Sequence, residues 1–192
     1  MSTTALIVII VVVVVVILLL ALYFASRRRR TQRREQQRER TREEFGSEYD
    51  RTAEERGSEE DAERELRERR HRVERRVEPL SEEGRRSHEE RWQEVERVFV
   101  ENPERSVEMA DRAVADLLEE RNVVADPAQS ESDTERDLAV THPDVADDYR
   151  EARRIRADVV SGTIGNSGEE GTEELRQAIR RYRAVHVRLL QS

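Results

Sequence analysis

The sequence predicts an all-α protein: one N-terminal transmembrane helix, followed by a small helical cytoplasmic region of about five helices arranged as two helical hairpins. Three observations carry this prediction. A run of 21 residues, Ala5 to Ala25, contains no charge, Gly or Pro. Beyond it, apolar residues recur at spacings of three and four behind capping residues, as helices require. Outside the apolar run there is no alternation of β-branched residues between turns, as a strand would require.

At 1.5 Å per residue, a helix over residues 5–25 covers about 30 Å, the hydrocarbon thickness of a bilayer. The stretch Val11–Val16 is a mediocre helix former in water, but lipid leaves the backbone no partner except itself. Tyr23 and Phe24 fall at the end where aromatic rings favour the interface. A cleaved signal peptide fits less well, since Met1 to Thr4 carry no basic side chain and no Ala-x-Ala site precedes Ser26. The sequence RRRRTQRR follows at once, and positive charge resists translocation. The expected orientation therefore places the four N-terminal residues outside and the C-terminal region in the cytoplasm.

The charge pattern is lopsided. Residues 1–42 hold nine Arg against Glu35 and Glu39, a net of +7, whereas the rest holds 26 Arg and 41 acids, a net of −15. A basic juxtamembrane segment, 26–44, thus joins an apolar run to an acidic body. Arg27, Arg28, Arg29, Arg30, Arg33 and Arg34 are expected to set topology and to grip anionic lipid, each contributing about 1 kcal/mol near such a surface. The lipid bilayer is then the first expected partner. Nucleic acid is not expected, because the acidic body repels phosphate and no aromatic side chain is interleaved in the collar to stack on bases. All 35 basic residues are Arg and none is Lys. That bias points to a GC-rich bacterial genome and, with the anchor, to a plasma-membrane location. Cys is absent, which excludes disulfides, thiol catalysis and Cys-based metal sites.

In the region beyond, a helical lobe is expected over 45–121. Ser58 with Asp61 resembles a capping box, after which Ala62, Leu66, Val73, Val77 and Leu80 mark one thin stripe. Ser81 caps a second helix, in which Trp92, Val95 and Phe99 recur. Asn102-Pro103 opens a third, with Val107, Ala110, Val114, Leu117 and Leu118 on its apolar face. These two should pair antiparallel, with Trp92 and Phe99 in the contact. Residues 122–140 lose periodicity and read as a linker. A second lobe, 141–190, opens at Thr141 and Pro143 and carries Val145, Tyr149, Ala152 and Ile155. A flexible loop over 161–171 precedes a last helix capped by Thr172, with Leu175, Ile179, Tyr182, Val185 and Leu189. Only 28 of the residues from 43 to 192 are Leu, Ile, Val or Phe. So thin a core leaves two readings, a marginal bundle or helices that bury their faces against a partner.

Several ordered segments resemble an uncharacterised bacterial family common in actinobacteria. They are FGSEYDR at 45–51, the PLS turn at 79–81, RWQEVERVFV at 91–100, HPDVADDYR at 142–150 and TEELRQAIRRYR at 172–183. The resemblance spans roughly 44–190. It implies a helical domain often carried behind an N-terminal membrane span, and it implies no activity. Members of that family carry a Gly-Tyr-Pro turn and a basic, aromatic-containing stretch between the lobes, where this chain has NVVADPAQSESDTERD.

Candidate chemistry is sparse. His71, His88, His142 and His186 show no metal-ligand spacing, since HEERW at 88–92 is not HExxH. Paired carboxylates such as Glu59-Glu60, Asp147-Asp148 and Glu169-Glu170 lie in runs that read as solvated faces, whereas acid–base catalysis needs a desolvated carboxyl. The Gly-rich loop at 162–171 lacks the Gly-Lys-Ser/Thr ending of a phosphate loop. No catalytic residue, metal or cofactor is therefore expected. Trp92, Phe99, Leu117, Tyr149 and Tyr182 are the expected packing or interface residues. Tyr49-Asp50-Arg51 and Tyr149-Arg150 could anchor one helix onto another or meet a partner.

The sequence is read as a non-enzymatic, membrane-tethered interaction or scaffold module with a protein partner or a second copy of itself. An anionic-lipid sensor working through the Arg collar is one alternative, and an enzyme whose site the sequence does not display is another. Self-association through the anchor is weakly signalled, with Ala21 and Ala25 its only small-residue pair at that spacing.

Overall fold

A computed structural model of the chain describes residues 38–126, 128–163 and 168–192. Every regular element among them is helical. Residues Phe45–Ser192 fold as one unit of seven helices. They are α1 (Ser47–Arg56), α2 (Glu59–Glu74), α3 (Glu82–Glu101), α4 (Pro103–Glu120), α5 (Glu131–Thr141), α6 (Pro143–Val160) and α7 (Glu169–Gln191).

Local chemistry sets most helix ends. Ser58, Ser81, Asn102 and Ser130 each accept the backbone N–H three residues on, which satisfies one of the four orphan donors at a helix start. Pro103 and Pro143 occupy first-turn positions, where a missing N–H does no harm. Gly57 ends α1 in the left-handed region at φ 67°, its N–H returning to Ala53 O. A side chain there would be strained.

The centre is built from α4, α6 and α7. Helix α7 packs against both α4 and α6, α3 lies against α4, and α5 packs on α6. Helix α2 lies between α1 and α5. The core holds Trp92, Val107, Ala110, Val114, Leu117 and Leu118 from α3 and α4, and Tyr149, Ala152, Ile155, Leu175, Tyr182 and Leu189 from α6 and α7. Each such apolar side chain contributes roughly 1.5–3 kcal/mol on full burial. Ser106 Oγ donates to Val95 O at 2.7 Å and ties α4 to the backbone of α3.

Four expectations are corrected. First, no helix among the described residues is long and apolar enough to cross a membrane, so the fold shown is an all-α bundle without the transmembrane helix of the predicted fold class, and the single-pass membrane assignment built on it has no support among them. The reason is plain in α7, the longest at 23 residues, which carries Arg176, Arg180, Arg181, Arg183 and Arg188. The run 5–25 and Arg27, Arg28, Arg29, Arg30, Arg33 and Arg34 lie outside the described residues. Second, the unit Phe45–Ser192 holds seven helices among its described residues rather than about five. Helix α1 precedes the Ser58 start, and α5 occupies much of the stretch read as a linker. Third, the two lobes are not separate, because α5 packs on α2 as well as on α6 and α4 packs on α7. The loop expected over 161–171 is shorter on its far side, since α7 starts at Glu169 with Thr172 inside it; residues 164–167 lie outside the described set.

Candidate functional site

Four clusters of polar side chains lie between helices. They hold the chemistry that the body of the protein keeps away from solvent.

The first joins α4, α6 and α7. Asp111 is buried on α4 and accepts the Tyr182 hydroxyl proton at 2.9 Å, while Arg156 Nε stands 3.0 Å from its other oxygen and Arg153 Nε 3.7 Å away. The Arg153 guanidinium also covers the face of Tyr149, which meets Tyr182 edge to face at 6.4 Å between ring centres. Burial raises both phenols, Tyr149 to about 12, and the Asp111 charge adds to the rise at Tyr182. Neither hydroxyl ionises near neutral pH, so both act as packing groups with a polar end.

The second joins α1 to α6. Glu48 is buried on α1 and paired with Arg150 of α6; Arg150 also holds Asp147, whose Oδ1 accepts from Ser47 Oγ at 2.7 Å. Burial raises the Glu48 carboxyl above its usual range in spite of Arg150.

The third ties α2 to α5. Asp137 on α5 accepts from Arg69 at 3.0 Å and from Arg76 at 2.6 Å. Arg76 also donates to Asn122 O at 3.0 Å and to Val123 O. Alongside, Arg136 Nη2 lies 2.8 Å from both oxygens of Glu55, linking α5 to α1.

The fourth is aromatic and lies between α3 and α7. Trp92 is buried and its ring stacks at a tilt on His186 at 4.8 Å, with Arg183 over the indole at 5.3 Å. The indole N–H donates to Glu96 at 2.8 Å. His88 stands 6.4 Å from His186 and bonds Glu120 of α4 through Nε2 at 2.8 Å. A carboxylate acceptor there requires the proton on Nε2. Neither nitrogen of His186 has a hydrogen-bond partner, although its ring is fully buried. Burial, with Arg183 second, lowers its pKa to about 4.

A further basic group gathers at the end of α7. Arg121 is buried and donates to Leu189 O at 2.7 Å and to Ser192 Oγ, and Arg85 donates to Leu190 O. These cover carbonyls that a helix end leaves open. His142 Nε2 lies 3.0 Å from Ser192 Oγ, and its pKa is lowered to about 4 by burial and by the nearby Arg121 charge.

The sequence-derived residues are dispersed among these clusters. Tyr149 and Tyr182 meet each other, and Leu117 is fully buried in the core. Trp92 is buried in the core and stacks on His186 of α7, and Phe99 is partly buried. Asp111, Asp137, Glu48 and His186 carry the interhelical chemistry but have no signal in sequence, because acids and imidazoles on amphipathic helices normally face water. Only their position near the apolar stripe, as with Asp111 next to Ala110, hints otherwise. Tyr49 of the FGSEYDR segment is buried in the core, while Arg51 stays at the surface near Glu48.

Among the described residues, no group of three His, Asp or Glu is placed to hold a metal ion. Open grooves run along two helices among the described residues. One of about 610 Å³ is lined by Arg56 and by Asp61, Arg64, Glu65, Glu68, Arg69 and Arg72 along α2. One of about 300 Å³ follows Asn102, Glu104, Arg105, Glu108, Met109 and Arg112 along α4. No family model matches the chain, and neither a curated protein nor a solved structure gives a significant match.

Proposed function

We propose that the helical body is a non-enzymatic interaction module, a platform whose surface meets a protein partner. The observation that supports this is the use made of buried charge. Glu48, Asp111 and Asp137 are each approached by guanidinium groups from outside their own helix, namely Arg150 of α6, Arg153 with Arg156 of α6, and Arg69 of α2 with Arg76 of the turn that follows it. Pairs of this kind fix the relative positions of helices, and deleting one partner costs about 3–5 kcal/mol. A surface held in place loses less freedom on binding. Among the described residues the most exposed large apolar side chain is Val100 at the end of α3, 84% exposed, adjoining the partly buried Val98 and Phe99.

A photo-reactive residue placed at Val100 of the full chain in its own cells tests the reading. The expected result is one discrete adduct, competed away by untagged chain and absent when the same group replaces Arg64. Adducts of random mass, equal from both positions, would sink it.

A further inference from the structure

We infer that the α3–α7 seam is an acid-operated release, in which protonation of His186 frees α3 from α7 while the other helices stay folded. This is a regulatory device and does not depend on the identity of any partner.

The starting point is an anomaly of bonding. His186 has no measurable exposure, and neither Nδ1 nor Nε2 has a partner. Buried polar atoms are otherwise nearly always bonded, because leaving one unbonded costs about 1–3 kcal/mol. A neutral imidazole tolerates the site as an aromatic ring, stacked on Trp92. An imidazolium would bring two N–H donors and a charge, with only the His88 main chain nearby to receive either.

The surroundings give that charge no relief. On α7 itself the nearby charge is Arg183, whose guanidinium lies over the Trp92 ring. From α3 come His88 and Arg91, both of which disfavour a positive ring, and Glu89 and Glu96, which lie 3.7 and 4.0 Å from Arg183. From α4 come Glu120, taken by His88, and Asp116, paired with Arg91 at 2.6 Å. Each nearby carboxylate is engaged elsewhere, whereas the cations remain. The main chain of His88 favours the charged ring, but burial and the surrounding cations outweigh it.

The geometry makes α3 the element that yields. Its principal neighbour is α4, and it meets α7 through one line of side chains. Arg85 reaches Leu190 O, His88 and Trp92 meet His186, and Glu89 approaches Arg183. Lifting that line off α7 hydrates His186 and restores an ordinary imidazole. With a pKa near 4 when closed and about 6.5 when open, the open-to-closed ratio rises about 30-fold between pH 7.5 and pH 5.

Trp92 is the only tryptophan in the chain and lies on the seam, so it reports the release directly. The test is a titration of the full chain from pH 7.5 to 4.5 at constant ionic strength. Trp emission and acrylamide quenching are recorded beside far-UV circular dichroism. The expected result is a red shift and a rise in quenching between pH 6.5 and 5, with helix content unchanged there. His186→Leu, which keeps an apolar side chain of similar bulk, should remove that step. Flat Trp emission down to pH 4.5 overturns the proposal, as does an equal step in His186→Leu. Loss of helix content with the same midpoint also overturns it, since that would be general unfolding. If His186→Leu does not fold, the wild-type comparison of Trp quenching with helix content decides alone.

Discussion

The two flanks of the bundle are fastened by opposite chemistry. On one side α3 is held to α7 by an aromatic stack, with Trp92 on a neutral, unbonded His186 and Arg183 over the indole. On the other, α1 and α2 are held to α5 and α6 by crossing ion pairs: Glu48–Arg150, Glu55–Arg136, and Asp137 with Arg69 and Arg76. Apolar groups contribute there as well, through Phe45, Tyr49, Leu66 and Val73. The first flank depends on an uncharged His186 and the second on matched charges. Acid and salt should therefore act on them differently, and the comparison can be broken in graded ways.

The largest effect should come from Trp92→Ala. Removing a fully buried indole destabilises by about 3–5 kcal/mol through lost transfer and the cavity left behind. A thermal or urea melt should show this, and it should be the same at 0.05 M and 1 M salt. Asp137→Ala should come next, at about 2–4 kcal/mol, because Arg69 and Arg76 are half-buried and lose the acid between them. Hydrogen exchange should report that loss in α2 and α5 before α3.

Acidification sharpens the contrast because the signs differ. His186 and His142 have folded pKa values near 4, below the unfolded value. The unfolded chain then binds protons more readily between about pH 6.5 and 4, so stability falls as pH drops through that window, by about 2–3 kcal/mol for each group. Glu48 runs the other way. Its folded pKa is raised, so its contribution is greatest below the unfolded value and is lost as pH rises through the folded value. Hydrogen exchange at pH 7 and pH 5.5, corrected for intrinsic rates, should therefore show α3 loosening more than α1. A uniform change over both flanks would remove the distinction. The smallest effect should come from Tyr182→Phe, about 1 kcal/mol, since Asp111 keeps Arg156 after losing the hydroxyl. A chemical-denaturation midpoint is sensitive enough to detect it.

The readability of these flanks from sequence also differs. Helix starts written as Ser-x-x-Asp/Gly or Asn-Pro were legible, at Ser58, Ser81 and Asn102, because a cap is a local device. The stripe of α4 was equally clear. Helix α5 was not, since its apolar residues Leu138, Ala139 and Val140 are consecutive and so show no helical period; Ser130 with Asp133 carried the missed cap. Helix α1 was missed for a related reason, burying mainly Tyr49, Thr52 and Glu48, of which only one is apolar. Trp92 was legible as a buried ring but not its neighbour, because a helix face does not state which helix covers it. The ionic flank was the least visible, since Asp137 looks in sequence like dozens of solvated acids around it.

The clasp between Ser47 and Asp147 spans 100 positions of chain, and Glu48–Arg150 spans 102. Such separations mean that the ionic clasp of α1 onto the bundle cannot close until α6 exists. During synthesis the first two helices emerge with their ionic partners still untranslated, while α3 and α4 can already pair across the turn at Asn102. The bundle should thus assemble out of chain order on the ribosome, from the middle outwards, with its earliest segment arriving among the last and lying open to chaperones in the interval.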